Sequence, residues 1–436
     1  MEVVRSLNYF VRRFETNRKN MRLNIQSGSS LSPNDLVRIQ LPSNALIDLS
    51  TFELTSDLTV SGNTGTITSG RISGTHNLVK RANVVVGGVN VGSSDNHFGL
   101  VREAWKRASY GQAWNKSNVA SCQNIQRASD NDGSSTAAAN YQNGSGHRSF
   151  NYWALSGMDI NGSGILDTSL FGDCSIEVQF DGNTALNERT ATGNDPSCTW
   201  AGTNLRAFVD CLFMPNSDYA SALADRLNGG GEVRAICPNI VSSVQQNTNS
   251  NEFNVSTQCL SGVLIAGLHQ DYATERDHRF PAVHTDGTVS TVAQLNSKNY
   301  HLSIGSESYP AYGNVLDGMD GAEMTRKMVG KDSPYNYNQL YVNVHEETSA
   351  AALTLTSGYR QQNYCSYNFL IGFDTSLEGI GSLHDSKLCS GISTQGGNSV
   401  MRFTSSGFNS SAYWLLAGIC DAYLIAKSGQ VVSFVA

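Results

Sequence analysis

Four histidines fall within one stretch, His269, His278, His284 and His301, and such a group is where a metal site would be sought first. Their spacing matches no two-histidine helical motif, and His278 sits in RDHRFP, which reads as an exposed loop. The nine cysteines form no C-x-x-C pair and no Cys/His spacing suited to zinc. Cys174, Cys211, Cys237 and Cys420 lie inside apolar runs and read as buried free thiols acting as small hydrophobes, made in a reducing compartment. Asp130, Asp132 and Gly133 in SDNDGSS share the opening of a calcium loop but lack its other acidic ligands and closing Glu, so a solvated turn is expected. Asp317, Asp320 and Glu323 in LDGMDGAEM open a helix, where carboxylates complement the dipole and cap free N–H groups. Glu346 and Glu347 read as water-facing residues at a strand end. There is no H-E-x-x-H, no P-loop and no G-x-S-x-G elbow. The reading is a non-enzyme with no cofactor and no metal.

The composition agrees with a structural role. Only 15% of the 436 residues are charged, 41 are Gly, and Ser, Asn and Thr crowd the loops. That mixture suits short strands joined by long neutral loops, which pack against neighbouring subunits without the desolvation cost of charged side chains. A net charge of −7 argues against specific nucleic-acid recognition by the chain as a whole. No apolar run approaches the roughly 20 residues of a membrane span. The opening MEVVRSLNYFVRRFE lacks the apolar core and cleavage site of a signal peptide, so secretion by that route is not expected. Five N-x-S/T sequons (Asn115, Asn143, Asn161, Asn254, Asn409) are what chance gives in so Asn-rich a chain. Trp105, Trp114, Trp153, Trp200 and Trp414 are too scattered for a carbohydrate platform and read as core or intersubunit packing.

The elements that must carry all this repeat. Residues 83–110, NVVVGGVNVGSSDNHFGLVREAWKRASY, read as an alternating strand, a Gly-Gly hairpin turn and a short amphipathic helix over 97–109 with Phe98, Val101, Ala104 and Trp105 on one face. Residues 300–328, YHLSIGSESYPAYGNVLDGMDGAEMTRKM, have the same grammar in different letters, with Met324 and Met328 on the second helix. After each copy comes a strand (SIEVQF, SVMRFT) and then a long apolar strand (RAFVDCLFM, GICDAYLIA). Repeats of this size are domains, each able to bury its own core. The second half restarts with EVRAICPNIVSSVQ, which matches the LVRIQLPSNALIDL opening of the first. Each half offers about eight strand candidates, which predicts an all-β chain of two tandem eight-stranded jelly rolls with short inserted helices. The boundaries read as an arm over 1–30, one roll over 31–228 and the other over 229–436.

The segment 1–22 predicts a basic amphipathic helix. Val3, Val4, Leu7, Phe10, Val11 and Phe14 recur at helical spacing, with Arg5, Arg12, Arg13, Arg18, Lys19 and Arg22 largely on the other side. Two readings stand side by side: a helix that packs on its own domain or a neighbour, and an arm that touches an anionic surface, lipid headgroups or packaged nucleic acid. SGSSLSPND (27–35) reads as its flexible joint.

The strand–turn–helix NVVVGGVNVGSSDNHFGLVREAW, the passage SGILDTSLFGDCSIEVQF and the helix LDGMDGAEMTRKMV together resemble the double jelly-roll major capsid proteins of tailless icosahedral double-stranded DNA viruses, in the polinton-like virus and virophage branch. The resemblance covers nearly the whole chain and rests on layout. It implies a homotrimer whose six rolls form a pseudo-hexameric capsomer of an icosahedral shell, located in the virion after synthesis in the host cytoplasm or nucleus. Its partners would be neighbouring capsomers, penton and minor capsid proteins, and internal-membrane lipid. The arm residues Val4, Arg5, Leu7, Phe10, Val11, Arg12, Arg13, Phe14, Arg18 and Lys19 would face that membrane or the next capsomer, and Phe98, Val101, Trp105, Met324 and Met328 would lie between subunits. A tandem jelly-roll lectin, adhesin or viral spike that binds surface glycans is the alternative, and a basic helix has no evident job there. A carbohydrate-active enzyme needs inward carboxylates about 5–10 Å apart, whereas these strands carry mostly apolar, Ser and Asn residues.

Overall fold

The computed structural model describes residues 17–61, 67–71, 78–91, 97–101, 104, 146–151, 165–183, 187–190, 199–213, 218–236, 239–268, 299–311, 313, 318–329, 370–376, 391–396, 399–408, 410–420, 422–427 and 430–435. The first half contains β1 (Asn17–Ile25), β2 (Leu36–Gln40), β3 (Leu46–Ser61), β4 (Ile67–Arg71), β5 (Val79–Val86), β6 (Val89–Val91), β7 (Gly146–Asn151), β8 (Ile165–Asp167), β9 (Cys174–Phe180), β10 (Asn187–Thr190) and β11 (Thr199–Phe213). The second contains β12 (Glu232–Ile236), β13 (Asn239–Gln246), β14 (Ser250–Asn254), β15 (Leu260–Leu268), β16 (Asn299–Ile304), β17 (Glu307–Tyr309), β18 (Leu370–Asp374), β19 (Val400–Ser406), β20 (Tyr413–Cys420), β21 (Tyr423–Lys427) and β22 (Gln430–Val435). The described residues also include the helices α1 (Thr168–Phe171), α2 (Asp218–Asn228) and α3 (Gly318–Val329). Residues 98–101 and 104 are also helical.

The pairing order is the same in both halves. In the first, β1-β11-β3-β7 forms one sheet and β2-β9-β5-β6 the other; in the second the sheets are β13-β20-β15-β18 and β14-β19-β16-β17. Every ladder is antiparallel. These are two eight-stranded rolls of one topology, with β8 beside β3 and a β4–β10 ribbon added to the first. Each long inward-facing strand alternates as a half-buried strand should: β11 buries Leu205, Ala207, Val209 and Cys211, and β19 buries Met401 and Phe403. β15 is buried along its whole length, as a central strand covered on both faces must be.

Local chemistry explains the repeated hairpins. Gly87 and Gly88 both have positive φ, 56° and 81°, which lets Val86 pair directly with Val89 through a two-residue turn. In the second roll Gly305 at φ 60° lets Ile304 pair with Glu307. A helix follows each hairpin, as the sequence predicts.

The expectation for the start of the chain fails. Residues 17–25 are not the end of a basic helix; they are β1, whose Asn17–Leu23 run pairs with Phe213–Ala207 of β11. Asn24 and Ile25 then pair with Gln40 and Ile39 of β2, so β1 ties the two sheets of the first roll together at a corner. The expected joint at 27–35 is likewise built in, since Leu31 is buried and exchanges both backbone hydrogen bonds with Gly202. β1 also shifts the repeat by one strand: within EVRAICPNIVSSVQ it is β13 that takes the place of β1, and the counterpart of LVRIQ is β14.

The two cores are separate. The second roll packs Phe253, Val263, Ile265, Leu302, Phe373, Phe403 and Trp414 between its sheets. The first packs Leu23, Ile39, Phe52, Val84, Ile176, Phe180, Trp200 and Val209, and it also takes in Val233, Leu424 and Ala426 from the second half.

Candidate functional site

β1 carries a charged cluster on the first roll. Alternation along β1 turns Arg18, Asn20 and Arg22 to the side opposite the core-facing Leu23. Arg18 Nη2 lies 2.5 Å from Asp48 Oδ2 on β3, and Arg18 Nε lies 2.6 Å from Asp210 Oδ2 on β11. Asn20 Nδ2 donates to the other oxygen of Asp210 at 2.9 Å. On the opposite side Lys19 Nζ stands 5.4 Å from the Phe213 ring centroid, a cation–π contact. The expectation that Arg18 and Lys19 belong to a basic helix is therefore corrected. Both are strand residues, and Arg18 is held by two carboxylates of its own sheet. Val4, Arg5, Leu7, Phe10, Val11, Arg12, Arg13 and Phe14 lie outside the described residues.

The inserted helices also differ from expectation. Val101 and Met328 are buried inside the chain, and Phe98 and Met324 pack partly buried against the first and second cores. Side chains enclosed in their own subunit cannot meet a neighbour, so Val101 and Met328 are not intersubunit contacts; Trp105 lies outside the described residues. An amphipathic pattern shows that a helix has an apolar face, not which sheet covers it. Here α3 covers β18: Gly372 N–H donates to Thr325 Oγ1 at 2.9 Å, and the same hydroxyl donates to Gly321 C=O at 2.8 Å. A side chain at Gly372 would stand 2.7 Å from Met328 Cε, so the glycine is what lets the helix lie flush.

The rolls touch through named residues. His97, at the start of the first inserted helix, places Nδ1 3.2 Å from Ser242 Oγ on β13 of the second roll. Neither residue stood out in the sequence, because no motif spans a separation of 145 residues.

Of the proposed thiols, Cys174, Cys211 and Cys420 are buried. Burial, helped by the Asp173 carboxylate, pushes the Cys174 thiol up to about 12, and burial with Asp210 raises Cys211. Such thiols are held neutral and unreactive. His301 lies on β16 opposite Thr404, while His269, His278 and His284 fall outside the described residues, as do Cys237, Asp130, Asp132, Gly133, Asp317, Glu346, Glu347, Trp105, Trp114 and Trp153. Asp320 and Glu323 fall within α3. Trp200 and Trp414 are core.

Two rolls of one topology, each interrupted by a helix after the same hairpin, define a double jelly roll. No protein-family model matches the chain, and no curated protein matches it by sequence. Solved structures match along nearly its whole length. The Faustovirus major capsid protein superposes with a TM-score of 0.55 at 10% identity, over 95% of this chain and 91% of that one. The PBCV-1 VP54 crystal structure, fitted into a reconstruction of the virophage Sputnik, gives 0.54 at 8% identity over 97% and 98%. The quasi-atomic model of the PBCV-1 capsid gives 0.54 at 9% identity over the same shares. At such identities the likeness is one of fold, and the chain has the double jelly-roll fold of those proteins.

Proposed function

We propose that the chain is a major capsid protein of an icosahedral double-stranded DNA virus, a structural subunit of the virion and not an enzyme. The observation that carries the reading is the whole-length match of both rolls to viral capsid proteins, rather than of one roll to one domain of them. Neutral loops, buried thiols and the repeat itself support it. In this reading three chains associate so that six rolls form a pseudo-hexameric capsomer, and heterologous edges between copies close the ring. The segment before β1 would extend from the root fixed by Arg18 toward neighbouring capsomers or an internal membrane, with penton and minor capsid proteins as further partners. The domain division proposed is one roll up to 228 and the other from 229.

Size-exclusion chromatography with light scattering tests the block: the expected mass is three times the 47.0 kDa chain. Negative-stain microscopy of the same material should show blocks of six-fold outline that form closed shells. A monomer that binds glycans would instead support a lectin or spike.

A further inference from the structure

Val233 on β12 and Leu424 and Ala426 on β21 belong by sequence to the second half, yet all three are buried in the core of the first roll. The backbone shows how they reach it. β13 and β20 pair from Asn239↔Cys420 to Gln246↔Tyr413 inside the second roll, and β12 and β21 pair antiparallel in the same register from Ile236↔Tyr423 to Glu232↔Lys427. One two-stranded ribbon therefore runs out of the second sandwich and onto the first. β22 pairs with β21 and lies alongside β6, the outer strand of the first roll's β2-β9-β5-β6 sheet. An open sheet edge exposes unpaired backbone groups and a flank of the core, and covering it is a standard remedy. Here the cover is contributed by residues from Tyr423 onward, although the first roll's own last strand ends at Phe213.

We infer that the ribbon β12–β21, with β22, is a latch: the first roll closes only when these strands have been made and docked. Two consequences follow. The latch and the His97–Ser242 contact together fix the angle between the rolls, which a pseudo-hexagonal block requires to be constant. A chain lacking residues 423–435 leaves the first core uncovered, so incomplete chains are kept out of assembly. The folding claim stands independently of the capsid reading.

The test is hydrogen exchange on the full chain. Leu424→Ala and Val233→Ala trim the latch, and Leu416→Ala trims the second core as a control. Because exchange reports local opening, the latch variants should accelerate β5 and β9 amides by about tenfold or more, while Leu416→Ala acts mainly on β15 and β18. Should Leu424→Ala not fold, the milder Val233→Ala decides alone. Latch variants that leave β5 and β9 at wild-type rates while loosening β13 and β20 would overturn the inference.

Discussion

Arg402 on β19 lies directly across from Glu252 on β14, and the matching place in the first roll holds the same pair with its charges exchanged, Arg38 on β2 across from Glu177 on β9. Arg402 Nη2 and Nε reach Glu252 Oε1 at 2.5 and 3.0 Å; Arg38 Nε stands 3.6 Å from Glu177 Oε1. The duplicated frame thus presents opposite polarity at equivalent points, so the two rolls need not meet the same neighbours.

Exposure limits what the pair contributes. Arg402 and Glu252 are each more than half exposed, so breaking the pair should cost no more than about 1 kcal/mol, and less at high salt. Arg402→Glu puts like charges directly opposite and should lower stability by roughly 0.2–1 kcal/mol. The exchange Glu252→Arg with Arg402→Glu should restore it. Urea titrations at low and high salt measure all three, and a loss of several kcal/mol would show that the pair is not behaving as a surface contact.

The aromatic pairs of the cores predict much larger effects. Trp414 meets Phe403 edge-on with centroids 5.3 Å apart and Phe408 at 5.0 Å; in the first roll Trp200 lies 6.0 Å from Phe180. Both tryptophans are almost fully buried. Replacing either with Ala removes a large ring and leaves a cavity, at a cost of about 3–5 kcal/mol. Chemical denaturation should show both losses, each seated in its own roll.

How far the sequence discloses this fold depends on local contrast. VVVGGVNV announces its hairpin because two glycines at positive φ flanked by β-branched residues have few other uses. β1 announces nothing: Leu23 is its one buried residue, and Arg18 and Arg22 stand four apart, as on a helix face. Its identity comes from β11 and from two aspartates remote in the chain. The inserted helices show their apolar faces, but the sheet that buries Val101 or Met328 is a tertiary fact. The same holds for the latch, since nothing in EVRAI or YLIAK says which roll they cover.

The buried thiols set a pH dependence. In the unfolded chain Cys174 and Cys211 ionise near their ordinary 9.0, whereas the folded protein keeps both neutral, Cys174 up to about 12. Above pH 9 the unfolded state therefore loses protons that the folded state retains, and stability falls. The Cys174 contribution is fully present below pH 9 and is lost between 9 and about 12. The wild-type melting temperature should drop more steeply over that window than that of Cys174→Ala. Alkylation of the native protein at pH 8, mapped by mass spectrometry, should leave Cys174 and Cys211 unmodified.

Truncations at the start of the chain separate the segment before β1 from the roll. Removing residues 1–16 stops short of β1 and spares the Arg18–Asp48–Asp210 contacts. That variant should keep the wild-type melting temperature, yet under the capsid reading it should assemble shells poorly. Removing 1–22 deletes most of the strand that pairs with β11, leaves Asp48 and Asp210 facing each other without their shared cation, and weakens the tie between the two sheets. It should yield aggregated protein or a first roll that melts early by circular dichroism. Equal behaviour of the two variants would mean that β1 contributes nothing to the roll, and normal shells from the 1–16 deletion would remove the arm from assembly.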